Sequence, residues 1–276
     1  MELTLEQLKR ISDSVGERRG WDFSRMRVKR APVPWNYTDV ARQFLADTDS
    51  VLDVGTGGGE LFLTLAPYFG KGVGIDSSVE MIEQALRNKM AQKAANVEFK
   101  AMDGNRLEFD DEHFDVVLNR HCDINVSQTA RVLRTDGYFV TQQVAYENTI
   151  NILNAFAWTP ASFGDNWWQP VEQLAAEFEQ SGCRVVAKAE YNVRYWFSDV
   201  ESLVFWLKAV PLPEPFDLEH HWEGVNRIIR EFSTPRGIET NEHRELLIVQ
   251  KVMVEVELAI LHRLHRLQRQ IQRLIP

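Results

Sequence analysis

The chain has 276 residues, enough for one enlarged domain or two small ones around a sizeable core. Its 44% hydrophobic and 26% charged content is ordinary for a globular protein in water, and a formal charge of -9 argues against a polyanionic partner, which needs a basic footprint. Cys122 and Cys183 cannot make a disulfide scaffold or a multi-cysteine metal site, and no run approaches the ~18 apolar residues of a membrane-spanning helix.

The opening Met1-Glu2-Leu3-Thr4-Leu5-Glu6 has neither the basic start nor the apolar core of a secretory signal, so the chain reads as cytoplasmic. Leu5, Leu8, Ile11 and Val15 fall at helical spacing and predict a short amphipathic helix. A basic loop with aromatics, Gly16 to Arg30, follows, and its Arg/Lys cluster at 25–30 reads as a solvated face. Pro32-Val33-Pro34-Trp35-Asn36-Tyr37 then leads into a helix carrying Val40, Phe44 and Leu45. Residues 1–49 together form an N-terminal helical cap.

The core spans 50–144. Val51-Leu52-Asp53-Val54 reads as a buried strand, and Gly55-Thr56-Gly57-Gly58-Gly59 as a turn whose backbone approaches a ligand closely before a helix starts near Glu60. A dinucleotide fingerprint would place a third glycine where Glu60 stands, and a carboxylate there repels a pyrophosphate. Asp53 likewise suits a cationic ligand. Gly72 to Asp76 is a second strand ending in an acid, and Ser77-Ser78-Val79-Glu80 has the form of a capping box opening a helix with Met81, Ile82, Ala85 and Leu86. Val97 to Ala101 is a third strand before Met102-Asp103-Gly104, and Phe114 to Leu118 a fourth, ending in Asn119-Arg120-His121. Arg134-Thr135-Asp136-Gly137 turns into a fifth strand, Tyr138 to Val144.

Lid insertions and closing strands occupy 145–251. Asn148 is placed to cap a helix through Ile150, Leu153 and Phe156, and Pro170 opens another through Leu174, Ala175 and Phe178. Cys183 to Val193 reads as a sixth strand, Asp199 caps a helix through Trp206, and Glu245 to Gln250 supplies the last strand. All eight tryptophans lie outside the core. Two readings of them stand: ordinary packing, or an apolar or aromatic substrate pocket under a lid. Residues 252–276 hold Ile260, Leu264, Leu267, Ile271 and Leu274 at 4-3-4-3 spacing, an amphipathic helix that docks on its own domain, pairs as a homodimer or lies on a membrane surface.

The pattern D-x-G-x-G-x-G over Asp53–Gly59, with the strand-end acid Asp76 and the Asp103-Gly104 pair in register behind it, resembles the class I S-adenosylmethionine-dependent methyltransferases over about 36–144. Asn119-Arg120-His121, Thr141-Gln142-Gln143-Val144 and Trp206 to Pro211 further resemble a bacterial branch of unassigned substrate. The resemblance implies an α/β fold: a doubly wound, seven-stranded, mostly parallel sheet with its last strand antiparallel. The N-terminal helical segment, an aromatic-rich lid insertion after the fifth strand and the C-terminal amphipathic helix are then additions to it. It implies S-adenosyl-L-methionine as cofactor, held by Asp53, Gly55, Thr56, Gly57, Gly59, Asp76, Ser77, Met81, Asp103, Gly104, Asn119 and Arg120. A carboxylate at Asp76 accepts both ribose hydroxyls, and Asp103-Gly104 stands where the family contacts adenine.

Methyl transfer from a sulfonium is an in-line displacement in which charge disperses, so alignment and desolvation matter more than acid catalysis. A base is needed only when the acceptor must lose a proton, and His121 is the candidate, against the plainer reading that it packs or caps the next helix. Trp35, Tyr37, Trp158, Trp167 and Trp168 are the candidate acceptor-site residues. The seven histidines show no acid-rich metal spacing, so no metal is expected. A small-molecule acceptor fits this chain better than RNA or protein, and a non-catalytic cofactor-binding protein is the third reading.

Overall fold

The computed structural model describes residues 2–18, 20–164 and 168–252. In chain order the strands are β1 (Val28–Arg30), β2 (Ser50–Val54), β3 (Lys71–Asp76), β4 (Val97–Ala101), β5 (Phe114–Arg120), β6 (Leu133–Val144), β7 (Cys183–Phe197), β8 (Ser233–Thr234) and β9 (Gly237–Lys251). The helices are α1 (Leu5–Val15), α2 (Tyr37–Arg42), α3 (Glu60–Leu65), α4 (Val79–Gln92), α5 (Val126–Val132), α6 (Ile150–Ala155), α7 (Val171–Gln180), α8 (Val200–Ala209) and α9 (Leu218–Phe232).

Every residue of β2 is buried, as a strand must be when helices cover both faces of its sheet. Val51 packs with α2, α3 and α4 on one face, and its neighbour Leu52 with α5 and α7 on the other. The sheet runs β1-β7-β9-β6-β5-β2-β3-β4, with β8 paired to β9. Strands β2 to β6 pair in parallel, and β9 runs antiparallel to both β6 and β7.

The sheet therefore has nine strands rather than the expected seven. The two extra ones are β1 and β8, of three and two residues, too short to leave an alternating pattern. Two local expectations also change. Ser78 does cap α4, accepting from the Met81 amide at 3.3 Å, but position N3 is Met81, so no reciprocal capping box forms. Asn148 does not cap α6; Thr149 stands there in a left-handed conformation, and the Asn148 amide oxygen accepts from the His243 amide at 3.1 Å. The C-terminal seam, beyond residue 252, lies outside the described residues.

A third apolar cluster joins Leu8 of α1 to Ile152, Leu203, Leu207, Val225 and Ile228, against Phe197 and Ile238 at the far ends of β7 and β9. The N-terminal helix thus packs with helices that come about 200 residues later. What positions the site is simpler. The chain leaves β2 for β3 on one side and returns to β5 on the other, opening a crevice at the carboxyl ends of β2 and β5.

Candidate active site

The glycine turn occupies that crevice. Gly55 and Gly57 have φ of 75° and 55°, a region closed to most side chains. A Cβ on Gly55 would lie 2.4 Å from Cys122 Cβ, and one on Gly57 2.3 Å from Trp21 Cδ1, so the turn is bare by necessity. Asp76 ties it to β3: one carboxylate oxygen accepts from the Gly57 amide at 2.9 Å, the other from the Ser78 amide at 2.9 Å. The Met102 amide donates to the Asp76 carbonyl at 3.0 Å, setting Asp103 and Gly104 beside that strand end. Gly104 presses on Val54, and Asp103 turns its own loop by accepting from Asn105 at 2.8 Å. Asp53, the glycines, Asp76, Asp103 and Gly104 are thereby gathered, with Ser77 and Met81 on the turn and first helical residues that follow.

Asp53 is only 6% exposed, and burial pushes its carboxyl up to about 7. The Thr56 hydroxyl lies near enough to oppose that rise, though it falls short of hydrogen-bond geometry and has no partner despite being buried. A buried carboxylate held near neutrality and an unsatisfied hydroxyl beside bare backbone are what a polar, cationic ligand would complete.

The loop after β5 forms the opposite wall. Asn119 is buried and committed to the scaffold, its amide oxygen accepting from Thr141 at 3.1 Å and Gln143 at 2.7 Å. His121 takes φ 58°, and its amide donates to the Gln142 carbonyl at 3.0 Å. Its imidazole is held well below the usual histidine range, first by burial and then by the charges of Arg120 and Arg244. Trp35 Nε1–H can only donate, and it does so to Gln142 Oε1 at 3.0 Å. That fixes the amide, so Gln142 Nε2 faces His121 Nε2 at 3.3 Å as donor and leaves the histidine proton on Nδ1. Cys122, over Gly55, has its thiol pushed up to about 12 by burial and neighbouring acids, which removes it as a nucleophile.

A cavity of about 280 Å³ adjoins this loop, lined by Trp35, Tyr37, Arg120, Gln142, Tyr191 and Arg244 among others, and by Leu61 just beyond the glycine turn. Arg120 lines this cavity, and both it and the adjacent His121 keep accessible surface although protein packs around them on most sides. Tyr37 closes the floor, its hydroxyl within 3.1 Å of the Asn119 and Val140 carbonyls. Trp35 meets Tyr191 edge to face at 4.6 Å.

Of the expected acceptor-site aromatics among the described residues, only Trp35 and Tyr37 line that space. Trp158 is buried against Phe156 and His221 and donates to Glu214 at 3.2 Å. Trp168 donates to Glu245 at 3.2 Å, and Trp167 lies outside the described residues. Residues the sequence reading missed include Gln142, Tyr191 and Arg244, as well as Trp21 on the glycine turn. Arg18 stacks on Trp21 at 4.0 Å, and the Trp21 amide donates to Glu60 at 3.2 Å, strapping the N-terminal loop over the crevice. The basic stretch 25–30 is exposed apart from half-buried Met26, as expected of a solvated face, and two of its arginines make surface pairs, Arg27 with Asp199 at 2.6 Å and Arg30 with Glu242 at 3.0 Å. The expectation that no histidines gather with acids also needs correction: Glu214, His220 and His221 bring ligand atoms within 4.8 Å of one another on and before α9. Among the described residues no helix is long and apolar enough to cross a membrane.

The profile of the methyltransferase domain matches residues 45–195. The chain is 34% identical over 97 residues to the uncharacterized methyltransferase YcgJ of Bacillus subtilis, a stretch covering 33% of this chain and 38% of that protein. It is 32% identical over 102 residues to a demethylmenaquinone methyltransferase of Roseiflexus castenholzii, covering 36% and 42%. The chain thus spans about two fifths of the length of these curated relatives. The crystal structure of YcgJ superposes with a TM-score of 0.59 at 19% identity, covering 79% of this chain and 99% of that one, a likeness of fold.

Proposed function

This chain belongs to the methyltransferase-domain family, whose methyl donor is S-adenosyl-L-methionine, and on that premise we propose that it methylates an O, N or C atom of a small molecule held in the Trp35–Arg120 cavity. The observation that carries the reading is the junction between cradle and cavity: Leu61 and the Asn119–Cys122 loop border both. Bound in the cradle, S-adenosyl-L-methionine supplies a methyl group on a sulfonium, ready for in-line displacement.

The residues present fit that cofactor. Asp76 keeps lone pairs on both oxygens for ribose hydroxyls. Asp53 and the unpartnered Thr56 hydroxyl suit the amino-acid end, where an ammonium would restore the carboxylate's charge. The Asp103-Gly104 loop lies next to the Asp76 strand end, where an adenine edge would sit. Trp35 and Gln142 hold His121 as a neutral imidazole with its proton on Nδ1, so His121 orders the acceptor as a hydrogen-bond donor more readily than it removes a proton. Trp35, Tyr37 and Tyr191 give an aromatic wall suited to a flat or partly apolar body.

The test is transfer of label from methyl-labelled cofactor into cell extract, divided by RNase treatment and size filtration. Label in the small-molecule filtrate, insensitive to RNase, is the expected result. Label confined to RNA, lost steeply with added salt, would refute a small acceptor.

A further inference from the structure

The cavity that this reading assigns to the acceptor carries an unbalanced positive charge. Three arginines line it, Arg30, Arg120 and Arg244, against one carboxylate, Glu242. Glu242 is already occupied: Arg30 Nη1 lies 3.0 Å from it, and the Tyr191 hydroxyl donates to it at 2.5 Å. Arg244 is aimed by neutral acceptors, the Asn148 amide oxygen at 2.5 Å and the His243 carbonyl at 2.7 Å, which orient a guanidinium without neutralising it. The Arg120 side chain makes no hydrogen bond or ion pair among the described residues.

Protein packs around both guanidiniums, though Arg120 keeps an exposed side and Arg244 is half-buried; that packing is the chief cause that pulls each below the ordinary arginine range, against the opposing pull of Glu242 on both. Arg244 is lowered further by Arg120 itself. Two like charges facing one partly desolvated cavity are costly unless something negative sits between them. Arginines on β5 and β9 point into the same cavity because β6 lies between those strands and brings Arg120 level with Gln142, and Arg244 level with Val144. Their forks match a planar carboxylate, which accepts two parallel N–H bonds. The volume, about 280 Å³, is at the low end of ligand pockets, and Trp35, Tyr37 and Tyr191 wall it with aromatic surface.

We infer that the methyl acceptor is a small planar carboxylic acid, its carboxylate held between Arg120 and Arg244 and its body against Trp35 and Tyr191. The inference rests on the methyltransferase reading and is tested so that the two fail separately. Benzoate and its neutral isostere benzamide are titrated by calorimetry into wild-type protein saturated with S-adenosylhomocysteine, whose own affinity is measured first. Benzoate should bind at least ~10-fold more tightly than benzamide, a preference supplied by charge-assisted hydrogen bonds. Arg120→Met and Arg244→Met should each erase the preference while S-adenosylhomocysteine affinity stays within about twofold. Arg120→Lys, which keeps the charge, should retain part of it and guards against a variant that fails to fold. Equal binding of benzoate and benzamide by the wild type overturns the inference. A parallel loss of S-adenosylhomocysteine affinity in Arg120→Met also overturns it, because the arginine would then hold the cofactor's own carboxylate. Absence of S-adenosylhomocysteine binding to the wild type would instead strike the methyltransferase reading.

Discussion

The role proposed for Asp53 predicts that cofactor binding releases a proton. In the free protein burial holds its carboxyl at about 7, so at pH 6 about 0.9 of the molecules carry the proton. An ammonium brought beside it restores the charged form, drives the pKa down and expels that proton. Binding of S-adenosylhomocysteine at pH 6 should therefore release roughly 0.9 proton, falling to about 0.1 at pH 8. Affinity should weaken up to about tenfold per pH unit below pH 7 and level off above it. Titration calorimetry at pH 6 in phosphate and in Bis-Tris, buffers of different ionisation enthalpy, reads the proton directly as a difference in apparent heat. Asp53→Asn should abolish that difference and bind more weakly at pH 8. Equal heats in the two buffers for the wild type would refute the role given to Asp53.

The same carboxyl sets a stability slope. Its folded pKa lies above the ordinary value of 3.8, so its contribution is favourable below about pH 4 and is lost as pH rises through 7, by at most ~4 kcal/mol. Ligand-free protein should melt lower at pH 8 than at pH 5, and Asp53→Asn should flatten the difference; a wild-type melting point independent of pH would count against it. His121→Ala should lower turnover by roughly tenfold, the worth of one hydrogen bond to the acceptor, with S-adenosylhomocysteine affinity nearly unchanged, measured by steady-state kinetics and calorimetry. An equal fall in both would make His121 a cofactor-binding residue. Gln142→Leu frees the His121 ring and leaves the Trp35 indole N–H unpaired, so kcat should fall by roughly tenfold while Tm drops only slightly. Tyr37→Phe removes the hydroxyl shared by two carbonyls and should cost about 1 kcal/mol in urea denaturation.

The cradle was legible in the sequence because its demands are local. Positive φ at Gly55 and Gly57 excludes other residues, and acids at the ends of β2 and β3 sit at fixed offsets from the glycines. The cavity was legible only through Trp35 and Tyr37, because the rest of it is assembled by pairing. Arg30, Arg120, Tyr191 and Arg244 come from four strands spread over more than 200 residues, and only the order β1-β7-β9-β6-β5 brings them together. The β7 pattern is also weakened by the irregularity between Val185 and Ala187, which shifts its register on β9. Trp158 misled for a physical reason: an indole in an insertion looks the same in sequence whether it faces a ligand or, as here, Phe156 and His221. The Trp21 contact on Gly57 left only a lone aromatic in a basic loop as its signal.

The cradle itself is most directly tested by ligand-dependent thermal stability of the wild type and Asp76→Ala. S-adenosylhomocysteine at 100 times its dissociation constant should stabilise the wild type by ~2.7 kcal/mol, and NAD should leave it unchanged. Asp76→Ala should lose ~1.5–3 kcal/mol of binding for each ribose hydrogen bond removed. A shift with NAD and none with S-adenosylmethionine or S-adenosylhomocysteine would contradict the assignment of the glycine turn.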